Sequence, residues 1–175
     1  MVDSCDTAST VGVRDRAIML LVARLGLRSV EVARLELDDL DWRHGELMVR
    51  GKGRREDRLP LPTEVGEALS AYLTGRGRVP GSRRVFLTCR APSGPIRADL
   101  VNDVIERGCK RSGLAQFGPH RMRHALAGEL LRQGVGLVTI SQVLRHQDRA
   151  TTAVYAKVDL STLRRVAQPW PEASR

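Results

Sequence analysis

The stretch Glu46–Leu61, ELMVRGKGRREDRLPL, contains two extended segments separated by a short loop with two glycines. Glu46–Arg50 and Arg58–Leu61 have the residue types of β-strands, and the paired glycines of the loop Gly51–Arg55 permit a tight reversal of the chain. We therefore predict an antiparallel hairpin whose tip is strongly basic.

Helical patterns flank this hairpin on both sides. Apolar residues recur at helical spacing over Val13–Leu25, Gly26 supplies a stop signal, and a shorter helix is expected at Ser29–Leu35. A third strand is expected at Val85–Leu87. Further helices are predicted at Thr63–Thr74, Ala98–Arg111, Pro119–Gln133, Val138–Leu144, Arg149–Ala156 and Ser161–Ala167. The pattern indicates a mainly helical α+β domain with one small antiparallel sheet.

Length and composition place this chain among globular proteins. It has 175 residues, of which 42% are hydrophobic and 28% charged, as expected for one domain. The longest apolar run, Ala17–Ala23, is far shorter than the ~20 residues that span a bilayer. The acidic start, Met1–Asp6, is unlike a secretory leader. We expect a cytoplasmic protein without a membrane segment.

Two groups of residues contain side chains that can bind a metal ion. The cysteines lack CxxC spacing, which favours reduced thiols over a zinc site or disulfides; they are Cys5, Cys89 and Cys109. A metal-dependent phosphoryl transferase would need separated carboxylates around Mg²⁺. The acidic cluster is instead confined to one short segment, where caps and turn contacts explain it better; its members are Glu36, Asp38, Asp39 and Asp41. We expect no metal and no cofactor.

The charge balance predicts a nucleic acid partner. Lys and Arg number 29 against 20 Asp and Glu, which gives a net charge of +9. Aromatic residues make up only 3%, too few for a platform that stacks single-stranded bases, so double-stranded DNA is the expected target. Several arginines are either phosphate contacts or part of a solvated face: Arg54, Arg55, Arg58, Arg76, Arg78, Arg83, Arg84 and Arg145.

Three local patterns could carry chemistry, although each has an ordinary structural explanation. His120, Arg123 and His124 are spaced to share one face at the start of a helix, as an anion site or as a solvated basic face. Glu31 can reach back to the guanidinium of Arg28, as in many structural ion pairs. Tyr155 could be a nucleophile or a core residue.

The order and spacing of the whole set resemble the tyrosine recombinase (phage integrase) family. The set runs from Arg28 and Lys52 through His120-x-x-Arg123 to His146 and Tyr155. The matching stretches are GLRSVEVARLELDDLDW, VRGKGRREDRLPLP, HRMRHALAGELL and LRHQDRATTAVYAKV, and the resemblance covers nearly all of residues 12–168. It implies the catalytic-domain fold of that family.

The resemblance also implies a mechanism. Tyr155 would attack a DNA phosphodiester and form a 3′-phosphotyrosyl intermediate, without metal or ATP, in integration, excision or transposition of a mobile element. Arg28 and Arg123 would stabilise charge on the phosphate, since a guanidinium fork can bond two oxygens. Lys52 would be the general acid. His120 would help accept the tyrosyl proton, His146 would hold a non-bridging oxygen, and Glu31 and His124 would orient these groups.

Some positions depart from the family pattern. Met122 stands where Leu is usual, Arg145 replaces a Gly before His146, and Ser29–Val30 replaces an apolar residue followed by a small one. Arg145 would place an extra cation beside the phosphate.

The expected organisation is a single catalytic domain. Residues 1–11 are expected to be a flexible segment, and residues 12–175 a catalytic domain that ends in a helix and tail at 159–175, without the family's usual N-terminal DNA-binding domain. The resemblance implies a monomer alone, a homotetramer on DNA when full-length, and association with the bacterial nucleoid. The alternative function is a non-catalytic DNA-binding fragment that occupies recombination sites or regulates a full-length recombinase.

Overall fold

The structure, a computed structural model, describes residues 1–51 and 56–145. The helices are α1 (Thr10–Leu25), α2 (Ser29–Arg34), α3 (Thr63–Gly75), α4 (Ala98–Arg111), α5 (Pro119–Arg132) and α6 (Leu137–Val143), and short 3₁₀ turns lie at Val2–Ser4 and Leu37–Asp39. The strands are β1 (Leu40–Asp41), β2 (Glu46–Arg50) and β3 (Glu56–Pro60). Two compact units divide after Leu126, so the sheet, α1 to α4 and the first turns of α5 belong to the first unit.

Helix α1 is the central element of the first unit. Its N-terminus is capped by Ser9, whose Oγ accepts a hydrogen bond from the Gly12 backbone N–H at 3.1 Å. The helix ends at Gly26, whose φ of 58° lies in the left-handed region that glycine tolerates best. The stop predicted at Gly26 is therefore confirmed, and the helix begins at Thr10, three residues before the predicted start at Val13.

The core of the first unit forms where α1 packs against α3 and α4. Tyr72 of α3 is fully enclosed there: its ring stacks on Phe86 with centroids 5.3 Å apart, and its hydroxyl accepts a hydrogen bond from the Leu87 backbone N–H at 3.0 Å. Burial raises the pKa of the Tyr72 phenol. One of the two tyrosines is thus a core residue.

The sheet is antiparallel, with strand order β1-β2-β3. The predicted hairpin is confirmed, since Leu47 pairs with Leu59 and Arg50 with Glu56. Its second strand begins at Glu56 and ends at Pro60, whereas Arg58–Leu61 was predicted. The prediction of a third strand at Val85–Leu87 is wrong. These residues are buried in the core, and Leu87 forms only a single isolated bridge, with Pro95, rather than a strand pairing. The third strand is instead β1, which pairs with β2.

Most of the predicted helices are present with small shifts at their ends. Ala98–Arg111 has the predicted bounds, whereas α2, α3, α5 and α6 differ from the predictions by one residue at one or both ends. The predicted helices at Arg149–Ala156 and Ser161–Ala167 lie outside the described residues.

At the start of the chain, Cys5 is buried, and Met1 and Val2 pack against the core. None of the helices described is long and apolar enough to cross a membrane.

A buried charge cluster that the sequence did not predict links α1 to α4. Asp15 is 2% exposed, and its Oδ1 accepts from Arg14 Nη2 at 2.9 Å. Its Oδ2 accepts from Arg107 Nη2, also at 2.9 Å. The Arg14 guanidinium is 4% exposed and also contacts the Sγ of Cys89 at 3.2 Å. Each buried charge has an opposite partner, as stability requires.

Replacing Asp15 with Asn is expected to lower the free energy of unfolding by about 3 kcal/mol, because the buried Arg14 guanidinium would lose its counter-charge. Urea denaturation followed by circular dichroism measures this change. Asp99→Asn is the matched control, since the Asp99 side chain is 79% exposed and lies 3.8 Å from Arg97, and its loss should cost less than about 0.5 kcal/mol. Equal shifts in the two variants would contradict the prediction.

Candidate functional site

Arg28 is held at the start of α2 by a buried carboxylate. Glu31 Oε1 accepts from the Arg28 guanidinium at 2.7 Å, and Glu31 Oε2 accepts from the Arg28 backbone N–H at 2.8 Å. The Glu31 side chain is 4% exposed and that of Arg28 36% exposed. The contact predicted from the spacing of these residues is present. It fixes both the backbone and the side chain of Arg28, and the side chain as a whole stays partly exposed.

Helix α5 carries the second basic group. The helix begins at Pro119, as predicted, and Met122 belongs to the core. Arg123 is 3% exposed, so it is not part of a solvated basic face. His120 and His124 are exposed, and their rings meet edge to face with centroids 5.7 Å apart. In α5, His120 and His124 therefore face solvent, whereas Arg123 is buried.

The structure places only part of the predicted catalytic set. Arg28, His120 and Arg123 all lie in the first compact unit. Lys52, His146 and Tyr155 lie outside the described residues. The catalytic roles of the whole set stay predictions.

The acidic cluster makes turn contacts and ion pairs, as its position predicts. Asp39 Oδ2 accepts from the Glu36 backbone N–H at 2.8 Å, Asp38 pairs with Arg83, and Asp41 accepts from the His44 ring at 2.7 Å. The hydrogen bonds from Arg83 lower the pKa of Asp38, whereas burial raises the pKa of Asp39. Within residues 1–51 and 56–145, no group of three or more His, Cys, Asp or Glu residues is arranged to hold a metal ion.

Arg50, the last residue of β2, makes ion pairs that sequence reasoning missed. Its guanidinium lies 2.8 Å from Asp39 Oδ1, 3.1 Å from Glu36 Oε2 and 3.9 Å from Glu56 Oε1. These contacts tie the base of the basic hairpin to the turn that follows α2. No spacing rule could have found them, because Glu36 and Asp39 are distant in sequence from Arg50 and belong to a different element.

The arginines predicted to contact phosphates differ in their surroundings. Arg58 pairs with Glu46 at 3.2 Å, and Arg76 donates to the Arg84 carbonyl at 2.8 Å. Arg83 pairs with Asp38, Arg84 lies 3.5 Å from Glu36 Oε1, and Arg78 is exposed. Arg54 and Arg55 lie outside the described residues. Intramolecular ion pairs favour a structural role for several of these side chains, and their contact with DNA stays a prediction.

Arg145 belongs to the second unit and is buried. Its side chain is 4% exposed, and Nη1 donates to the Val143 carbonyl at 3.2 Å. Its φ of 53° is in the left-handed region, where a glycine would be less strained. Arg145 is therefore a buried arginine, as Arg123 is, and its contact with a phosphate stays a prediction.

The sequence of this chain matches the model of the phage integrase family over residues 1–161. The chain belongs to the phage integrase family. The predicted resemblance is thereby confirmed. The matched region includes Arg28, which is bonded to Glu31, and helix α5, which carries His120 and Arg123.

Relatives of this integrase-family chain carry recombinase names. The putative integrase/recombinase y4rA of Sinorhizobium fredii is 47% identical over 174 residues, which cover 98% of this chain and 42% of that protein. Another putative integrase/recombinase from the same organism, y4gC, is 35% identical over 175 residues. The match covers 98% of this chain and 90% of y4gC. Tyrosine recombinase XerC of Thermodesulfovibrio yellowstonii is 35% identical over 156 residues, and the match covers 86% of this chain and 52% of that protein. The chain thus spans less than half of y4rA and about half of this XerC.

Solved recombinase structures confirm the fold of this family member. XerH recombinase, in a post-cleavage complex with a palindromic difH substrate, has a TM-score of 0.80 at 22% identity, over 98% of this chain and 50% of that one. XerA recombinase has a TM-score of 0.78 at 23% identity, over 97% of this chain and 62% of that one. The predicted mainly helical α+β fold with a small antiparallel sheet is therefore confirmed.

Proposed function

We propose that this chain is the catalytic domain of a DNA strand-transfer enzyme that acts at specific sites of a mobile element. The Tyr155 hydroxyl oxygen attacks the scissile phosphorus, the P–O5′ bond breaks, and the 5′-oxygen leaves as a hydroxyl after taking up a proton. Attack of another 5′-hydroxyl on the 3′-phosphotyrosyl bond then releases the tyrosine. The bond energy is conserved in both steps, so ATP is not needed. Cationic side chains stabilise the charge on the phosphate, and the proposed reaction uses no metal ion or cofactor.

The contact between Arg28 and Glu31 is the observation that carries this proposal. A guanidinium fixed by a carboxylate at 2.7 Å is oriented before substrate binds. The Arg28 side chain is 36% exposed, so we propose that a phosphate oxygen approaches it there. Fixed donors aimed at developing charge are worth most because they need no reorganisation during the reaction.

Arg123 supports the same reaction from helix α5. Its side chain is 3% exposed, so a phosphate brought to it would interact in a medium of lower dielectric than water. The planar guanidinium fork can pair with two non-bridging oxygens of a phosphate at once. Arg28 and Arg123 are therefore assigned to transition-state stabilisation.

The other members of the set complete the assignment. Lys52 protonates the leaving 5′-oxygen, and His146 holds a non-bridging oxygen. His120 accepts the tyrosyl proton; its exposure beside His124, with ring centroids 5.7 Å apart, leaves it accessible to substrate. Glu31 and His124 orient Arg28 and His120 respectively.

Double-stranded DNA is the proposed partner. The net charge of +9 supports it, as do the relatives, among which XerH is described with a bound difH substrate. We propose that the chain is monomeric alone, that strand exchange in the full-length protein takes place in a homotetramer on DNA, and that the protein associates with the nucleoid.

A selection for covalent attachment tests the function without knowledge of the target site. The protein is incubated in EDTA with a library of nicked duplexes of random sequence, and DNA that stays bound in SDS is recovered and sequenced. A nick just 3′ of the cleavage site lets the short 5′-hydroxyl fragment diffuse away and traps the adduct. We expect SDS-resistant adducts that converge on one sequence and carry DNA on Tyr155.

The same selection distinguishes the alternative function. A non-catalytic DNA-binding fragment would retain a defined sequence under native conditions and release all of it in SDS. Native retention without adducts would therefore refute the proposed reaction and support that alternative.

A further inference from the structure

Helix α2 depends on its neighbours for its orientation. It has only six residues, Ser29–Arg34, and so short a helix is not stable alone in water. The inward side chains of Val32 and Ala33 are buried in the core. Its first residue makes a polar contact across to α4: the Ser29 hydroxyl donates to Oδ1 of Asn102 at 2.8 Å, and both residues are partly buried.

Arg28 is attached to the same first turn. Its guanidinium and its backbone N–H are both bonded to Glu31, so Arg28 moves with this turn. On its N-terminal side, Leu27 is fully buried in the core. Arg28 therefore lies between a residue anchored by packing, Leu27, and a residue anchored by a hydrogen bond to α4, Ser29.

We propose that Asn102, acting through the Ser29 hydroxyl, is a positioning residue that holds Arg28 in the orientation that strand transfer requires. The inference rests on the proposed function. Ser29 occupies a position where the family pattern has an apolar residue, and an apolar side chain could not donate this bond. Loss of the bond frees the first turn of α2 to shift, and a displacement of a fraction of an ångström is enough to weaken a donor aimed at a reacting phosphate.

The test compares two substrates that differ only at the scissile linkage. One is the duplex recovered in the covalent selection, and the other carries a neutral methylphosphonate at the cleavage position. At saturating DNA, Ser29→Ala and Asn102→Ala are each expected to form adducts about tenfold more slowly on the phosphodiester. On the methylphosphonate, which lacks the anionic charge that Arg28 stabilises, both should stay within about twofold of the wild-type rate.

Conservative and neighbouring variants serve as controls. Ser29→Thr keeps the hydroxyl and should restore the rate to within about twofold. Asp103→Ala changes an exposed residue beside Asn102 and should leave both rates unchanged. DNA affinity should be equal in all variants, because the effect is on the transition state.

The outcomes separate the inference from the function. Variant rates equal to wild type, or equal losses on both substrates, would overturn the positioning role while the proposed function stands. A wild-type protein that forms no adduct would overturn the proposed function, and the positioning role with it.

Discussion

Replacing Tyr155 with Phe is expected to abolish covalent attachment to DNA, lowering the rate of adduct formation by at least about 10⁴-fold. Phe keeps the aromatic ring and removes only the oxygen that would form the bond to phosphorus. Binding of the selected duplex should change by less than about twofold, since one hydroxyl contributes little to an interface dominated by phosphate contacts. The rate is measured as SDS-resistant protein–DNA complex over time in EDTA.

The chain provides its own matched control for this substitution, because it has two tyrosines. Tyr72→Phe also removes one phenolic oxygen, but from a core residue whose hydroxyl accepts from the Leu87 backbone N–H. It should lower the free energy of unfolding by about 1–3 kcal/mol and leave the adduct rate unchanged at temperatures below the unfolding transition. If Tyr155→Phe still formed adducts, the nucleophile would be another residue and the assigned reaction would be wrong.

Arg123→Lys is expected to lower the rate of adduct formation by about 10²–10³-fold. Lysine keeps the positive charge, but it lacks the planar fork that pairs with two oxygens. Arg123 is 3% exposed, so solvent cannot supply the missing donor. Single-turnover kinetics at saturating DNA measure the chemical step separately from binding.

Arg121→Lys is the control for this change, since it makes the same exchange two residues earlier on the same helix. Arg121 is exposed, and its guanidinium carbon lies 5.8 Å from the centroid of the Phe117 ring. We expect a change of less than about twofold. Equal losses in the two variants would indicate a general effect of basic residues in α5 rather than a specific role for Arg123.

The elements that the sequence predicted well are those determined by local signals. Gly26 ends α1 because its backbone takes a left-handed conformation, and Pro119 begins α5 because it lacks a backbone N–H. The hairpin followed from two strand-like segments around closely spaced glycines. The contact between Arg28 and Glu31 followed from a separation of three residues.

The features that the sequence did not predict depend on residues distant in the chain. Asp15 meets Arg107 only because α1 packs on α4, and Arg50 meets Asp39 only because β2 runs beside the turn after α2. The segment Val85–Leu87 has the composition of a strand, but its neighbours bury it in the core without a partner strand. Arg123 carries a charge that suggested exposure, and its burial follows from tertiary packing alone.

Because Tyr72 is enclosed in the core, a reagent that modifies accessible phenols can distinguish the two tyrosines in the native protein. Nitrating reagents attack accessible, ionised phenols, and Tyr72 is 1% exposed with its pKa raised by burial. Nitration of the folded protein should therefore leave Tyr72 unmodified, so that any nitrotyrosine formed under native conditions is on Tyr155.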